Sequence, residues 1–153
     1  DTLDKYINKQ ESILFREIID YNSNILDLGC SVGISTEYLK DHYTWANVEG
    51  LDLSPYFLSI AKLRSVEKEK DIRYIHANAE DIPKKDSSCD LITSSFMFHE
   101  LPNLPSKKIL KEIHRVLKPY GIIMIVDLDK YLLEEKLKNP FRKWAFEITE
   151  PHI

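Results

Sequence analysis

The chain has little cysteine, little glycine, no long apolar run and no surplus of positive charge, and each shortage excludes something. Two cysteines in 153 residues, Cys30 and Cys89, form neither a disulfide framework nor a metal-ligand set by themselves. No stretch approaches the ~18 consecutive apolar residues of a membrane span. With 21 basic against 25 acidic side chains the formal net charge is −4, the wrong sign for a protein that lives on phosphate backbones. The opening DTLDKYINKQ lacks the basic and apolar regions of a signal peptide. It also lacks an initiating Met, and we expect a piece cut from a longer chain. There is no internal repeat and no low-complexity tract. What remains, 43% hydrophobic and 30% charged residues, reads as one soluble, intracellular domain over residues 1–153. A domain of this length buries roughly 70% of its unfolded surface, so its core needs no disulfide.

The apolar spacing changes period along the chain. Leu3, Ile7, Leu14 and Ile18 lie near a helical repeat, which predicts an N-terminal amphipathic helix within residues 1–21. Ile25 to Leu28 is a short apolar run stopped by Gly29, as expected of a buried strand, and Ile34, Tyr38 and Leu39 make one face of the helix after it. Val48 to Leu53 reads as a second strand, followed by a helix capped by Ser54 with Pro55 in its first turn. Ile72 to Ala77 and Cys89 to Ser94 read as the third and fourth strands. Ile109, Leu110, Ile113, Val116 and Leu117 mark a helix, Pro119-Tyr120-Gly121 a turn, and Ile122 to Val126 a fifth strand. Strands apolar on both faces, alternating with helices, predict an α/β doubly wound sheet with five parallel strands in a core at 22–128. A tail at 129–153 holds a helix at Tyr131–Lys138 and the aromatic residues Phe141, Trp144 and Phe146 with His152, which line an acceptor pocket or pack on the sheet.

Two of the four glycines, Gly29 and Gly33, fall at one strand-to-helix junction, in DLGCSVG. Glycine there allows positive φ and close approach of a ligand to the backbone, although both also suit a tight turn. Doubly wound sheets bind ligands at the strand ends where the strand order reverses. Asp52, ending the second strand, offers two acceptor oxygens in one plane, which suits the two hydroxyls of a ribose. The spacing Gly29-x-x-x-Gly33 is not the G-x-G-x-x-G of dinucleotide sites, and Asp27 beside the crevice repels pyrophosphate but attracts an ammonium or sulfonium.

The segments ILDLGCSVG, GLDLSP, HANAEDIP, CDLITSSFMFHELPN and EIHRVLKPYGIIMIVD follow one another in order from about Asn24 to Leu128. In them the chain resembles the class I S-adenosylmethionine-dependent methyltransferases, particularly the small-molecule group that includes the quinone-biosynthesis C-methyltransferases. The resemblance implies S-adenosyl-L-methionine as cofactor and methyl transfer to a small-molecule acceptor. It implies that Asp27 and Gly29 hold the ammonium end of the cofactor and that Gly33 lets the loop close; Cys30 sits in the same cofactor-binding loop, where nothing nearby suggests a nucleophilic thiolate and the residue reads as filler. Asp52 would bind the ribose, with Leu53 against the adenine face. Asn78, Ala79 and Glu80 would lie at the adenine edge, and Ser94 and Ser95 beside the methionine part.

Three positions depart from the family's pattern: Ser31 for a loop glycine, Asn78 for an Asp, and Tyr120 for a glycine before the fifth strand. The family sheet carries a further C-terminal hairpin that is not legible here, so the fifth strand is expected to need cover from missing sequence or a protein partner. His99 is the candidate base, because an imidazole suits proton transfer near neutrality; its other reading is a hydrogen bond to the local backbone. Glu100 reads as an exposed or capping carboxylate. His42, His76 and His114 lack metal-ligand spacing, and neither a metal nor a nucleic-acid partner is expected. Two other classes compete: a nicotinamide-dependent oxidoreductase and a non-catalytic docking module of the same fold.

Overall fold

The computed structural model describes residue 19 and residues 21–128. The expected N-terminal helix with Tyr6, the helix at Tyr131–Lys138, the aromatic tail and any strand after Leu128 lie outside the described residues. Within them the elements are β1 (Asn24–Leu28), α1 (Ile34–His42), β2 (Asn47–Asp52), α2 (Pro55–Glu67), β3 (Arg73–His76), β4 (Cys89–Ser95), a 3-10 turn (Phe98–Glu100), α3 (Asn103–Val116) and β5 (Leu117–Val126). All pairings are parallel, in the order β3-β2-β1-β4-β5. The predicted α/β sheet of five parallel strands is therefore present, and the strand order reverses between β1 and β4.

Side chains alternate across the strands and build two cores. Leu26, Leu28, Leu51 and Ile92 face α3, meeting Ile109, Ile113 and Val116. Ile25, Val48 and Leu91 face the other way, toward Leu39 and Tyr43. Ser54 caps α2 as expected, its Oγ accepting the Phe57 N–H at 3.4 Å with Pro55 in the first turn. No described helix joins β3 to β4. Instead Arg115 of α3 donates to the carbonyls of Ile82 and Lys84 and to Asp86, while Glu112 accepts the Ile82 N–H. One helix turn thus holds down a crossover that has no regular structure of its own.

Three expectations change. Ile34 and Tyr38 do not share Leu39's buried face: they are about half exposed, on the cavity side of α1. α3 starts at Asn103, because its first turns bury no apolar residue and so leave no period to read. The turn at Pro119-Tyr120-Gly121 lies inside β5. Cys89 pairs with Leu117 but Leu91 with Ile122, so β5 bulges outward over that stretch. β5 is the edge of the described sheet, with Ile123 and Ile125 partly exposed.

Asp27 joins three elements. It is 1% exposed; its Oδ2 accepts from Ser35 Oγ at 2.6 Å and Thr36 Oγ1 at 2.7 Å, both on α1, and its Oδ1 from Thr93 Oγ1 of β4 at 2.8 Å. Burial pushes its carboxyl above the usual range; the three hydroxyls oppose this in part, and the charge of Asp52 adds to it.

Two predictions follow from these strained or costly positions. Tyr120 is 98% exposed at φ +67°, a left-handed conformation that penalises a side chain. Tyr120→Gly is expected to stabilise the fold by about 1 kcal/mol, read from the urea midpoint at unchanged slope. For Asp27, the folded state binds the proton more readily than the unfolded chain, so ionisation costs folded-state stability as pH rises through the folded-state pKa. Asp27→Asn keeps acceptors and donors for hydroxyls that can rotate, and is expected to melt about 2–4 °C higher than the parent at pH 8. That gain shrinks as the pH falls to where the parent's Asp27 is protonated in both states; a lower melting point at every pH refutes it.

Candidate functional site

At the reversal point the C-terminal ends of β1, β2, β3 and β4 open into one cavity of about 590 Å³, within the range of small-ligand sites. Its floor is the loop after β1. Gly29 (φ +68°) lies so close to Met97 that a Cβ would fall 2.8 Å from the Met97 sulfur. Ser31 holds φ +49°, the conformation a glycine takes without strain, which gives a physical reason for glycine being usual there. Gly33 (φ +81°) is buried against the neighbouring elements, where a Cβ would fall 2.5 Å from the Tyr74 hydroxyl and 2.9 Å from Ala61 Cβ. Its role in this structure is packing at the start of α1.

Four of the loop's amides, those of Gly29, Cys30, Ser31 and Gly33, are already partnered. Gly29 and Cys30 donate to Leu51 O, Gly33 to Cys30 O, and Ser31 to Asp52 Oδ2 at 2.8 Å. Asp52 Oδ1 accepts the Ser54 N–H at 2.8 Å. Each Asp52 oxygen keeps a lone pair for a further donor in the cavity. A phosphate cradle needs the opposite arrangement, with unpartnered N–H groups aimed at the ligand.

The structure brings together Gly29, Cys30, Asp52, Leu53, Asn78, Ala79 and Ser95 on the cavity wall. It does not bring Asp27, Gly33, Glu80, Ser94 or His99 to it. Asp27 lies beneath the loop and touches the wall only through Ser35, which does line the cavity. Asn78 Oδ1 accepts the Glu80 N–H at 2.9 Å. Glu80 faces Lys108 at 2.8 Å, and that hydrogen bond holds its carboxyl below the usual range. Burial, with Asp27 and Asp52, pushes the Cys30 thiol up, so it stays a neutral S–H. Ser94 Oγ is buried without a hydrogen-bond partner among the described residues. His99 Nδ1 lies 2.5 Å from Asp127 Oδ1.

Sequence reasoning missed part of the wall. Tyr38 and Phe57 from α1 and α2, and Phe96, Met97, Glu100 and Leu101 from the segment after β4, make it largely apolar on that side. The aromatic residues of SSFMFHELPN were the available signal. Phe96 holds φ +54°, so a strained residue stands on each side of the cavity, this one opposite Ser31. Among the described residues no cluster of His, Cys, Asp and Glu could hold a metal ion, and no helix is long and apolar enough to cross a membrane.

Comparison with known proteins agrees with this geometry. Residues 26–125 match the family described as methyltransferase domain. An uncharacterized methyltransferase of Synechocystis is 37% identical over 112 residues, covering 73% of this chain and 50% of that protein. The ubiquinone/menaquinone biosynthesis C-methyltransferase of Rickettsia prowazekii is 34% identical over 146 residues, covering 92% and 57%. The crystal structure of a methyltransferase from Aquifex aeolicus shares the fold at a TM-score of 0.67 and 24% identity, covering 95% of this chain and 79% of that one. The chain spans about half the length of the two sequence relatives. With the strand order, the glycine loop and the matched segment in agreement, the chain belongs to the methyltransferase domain family, in its class I, S-adenosylmethionine-dependent branch with the quinone-biosynthesis C-methyltransferases.

Proposed function

We infer that the chain binds S-adenosyl-L-methionine in the cavity above β1 and β4 and directs its methyl group to a small-molecule acceptor. The observation that carries this reading is the pairing of a carboxylate, Asp52, with a glycine loop in which the amides of Gly29, Cys30, Ser31 and Gly33 are already hydrogen-bonded within the fold. Such a wall accepts hydrogen bonds and attracts positive charge; it does not cradle a pyrophosphate. That disfavours a nicotinamide cofactor, and no feature favours a purely docking role.

On this reading Asp52 accepts from the ribose hydroxyls, Leu53 lies on the adenine face, and Asn78 with Ala79 borders the adenine edge. Glu80 steadies that turn from outside through Lys108. Gly29, over which Met97 packs, borders the methionine part through its backbone next to Ser95. Ser35, which lines the cavity and donates to Asp27, serves the ammonium end. Bound there, the sulfonium supplies an activated methyl group, and the chain's work is to orient and to exclude water, which lowers such a barrier by roughly 7–11 kcal/mol. The wall of Tyr38, Phe57, Phe96 and Leu101 fits an apolar or aromatic acceptor, in line with the quinone named for the Rickettsia relative. His99 stands behind that wall as part of the acid–base apparatus. The same reading has the β5 edge covered by a partner or by further chain. Two free buried cysteines fit an intracellular setting.

Calorimetric titration tests it. S-adenosylhomocysteine is expected to bind and NAD is not, and Asp52→Ala, checked for an unchanged circular dichroism spectrum, should lose at least tenfold in affinity, about 1.4 kcal/mol. A folded chain that ignores S-adenosylhomocysteine removes the reading.

A further inference from the structure

The segment after β4 is tied to the end of β5 by one side chain that the cofactor site does not use. Asp127 Oδ2 accepts the N–H of Phe98 at 2.8 Å and of His99 at 3.2 Å. Its Oδ1 accepts the Leu128 N–H at 2.8 Å and lies 2.5 Å from His99 Nδ1. Asp127 and His99 are 19% and 10% exposed in their side chains, so both are largely shielded from water. An ionised carboxylate only accepts, so Nδ1 carries the proton and donates it, and Nε2 is the accepting nitrogen of the ring. Nε2 lies 3.9 Å from Glu100 Oε1, a gap that one water or a small side-chain rotation closes. Glu100 itself is on the cavity wall. A line of groups therefore runs from β5 through the imidazole to the cavity, on the side of the switch point opposite Asp52.

We propose that Glu100 takes up the proton released by the methyl acceptor and hands it to His99 Nε2, and that Asp127 is the positioning residue that fixes the imidazole for this. The proposal rests on the methyl-transfer reading. In the step, Glu100 removes the acceptor's proton, and the electron pair of that broken bond stays with the acceptor. It replaces the pair given to the new bond to the methyl carbon, while the pair of the old methyl–sulfur bond stays on sulfur. The proton passes from Glu100 to Nε2, and the imidazolium, held through Nδ1 by Asp127, gives it up to water.

Asp127→Asn separates positioning from mere support. Two backbone N–H groups, of Phe98 and His99, face Oδ2 against one, of Leu128, at Oδ1, so the Asn oxygen stays on the Oδ2 side and the Leu128 N–H loses its acceptor. The Asn NH₂ then faces Nδ1 and forces the ring proton onto Nε2. Imidazole ¹⁵N spectra of the 153-residue chain, recorded where the ring is neutral, are expected to show Nδ1–H in the parent and Nε2–H in Asp127→Asn. Glu100→Gln should move the His99 Nε2 resonance, whereas the remote Asp81→Asn should not. With reduced 1,4-naphthoquinone as the acceptor probe, Glu100→Gln should lower kcat at least tenfold while KM and S-adenosylhomocysteine affinity stay within twofold. A parent chain with Nε2–H, which needs no variant to fold, overturns the proposal. So does an undiminished kcat in Glu100→Gln. Loss of S-adenosylhomocysteine binding by the parent instead overturns the underlying reading, so the two failures are distinguishable.

Discussion

The structure depends on a carboxylate placed where solvent cannot reach it. Asp27 sits at the point where the strand order reverses, and its three hydroxyl partners come from the helix that follows β1 and from β4. An unpartnered charge there would be prohibitive; three hydrogen bonds make it tolerable and fix the distance between β1, α1 and β4. Those are the elements that frame the glycine loop. Asp52 holds the same loop from above through the Ser31 amide. The loop is thus clamped between two acids, and this clamp decides what the cavity can bind. Amides turned inward toward carbonyls and carboxylates leave a surface of acceptors, suited to hydroxyls and cations.

The two sides of the cavity are built on different terms. On the β2–β3 side, polar groups come straight off strand ends, and short turns such as Asn78 to Glu80 set their direction. On the β4–β5 side the chain leaves β4 through Phe96 in a left-handed conformation and lays Met97 across Gly29. The ladder holds that path only as far as the Phe96 N–H, which donates to Val126 O at 2.8 Å. Beyond it Asp127 takes over, with four hydrogen-bond partners on one carboxylate drawn from both segments. A polar clamp at the end of β5 therefore supports an apolar wall, and it leaves only one acidic group of that segment, Glu100, on the cavity surface.

Much of this was legible in the sequence, for physical reasons that also mark where legibility ends. The parallel strands announce themselves because both faces are buried, and Ser54-Pro55 announces α2 because capping is local. Asp52 at a strand end after a glycine loop was readable as a cavity acid. The position of Asp27 was not: strand alternation puts it on the same face as Ile25, toward α1, but its nearness to Gly29 favours a place in the crevice. Glu100 and Asp127 escaped because their roles depend on contacts across β4 and β5, 27 residues apart, which no local period encodes. Ile34 and Tyr38 look like core in any hydrophobic pattern. A cavity with an apolar wall asks for the same side chains as a core, and only the geometry tells the two apart.

The charge arrangement also bears on turnover. On the methyl-transfer reading, the acids at and beneath the wall (Asp52, Glu100 and, through Ser35, Asp27) meet a ligand that carries a sulfonium charge before the reaction and lacks it afterwards. Asp27 lies out of water beneath the loop while Glu100 is 65% exposed beside the wall, and a carboxylate attracts a cation more strongly where water is excluded than in bulk solvent. Their attraction is therefore greatest for the donor and falls once the methyl group has left. Hydrogen bonds to the ribose, by contrast, are the same before and after. On the same reading Asp52 serves both forms, while the surrounding negative charge favours the charged form alone. On that reading the difference favours the donor over the spent product at one and the same clamped loop.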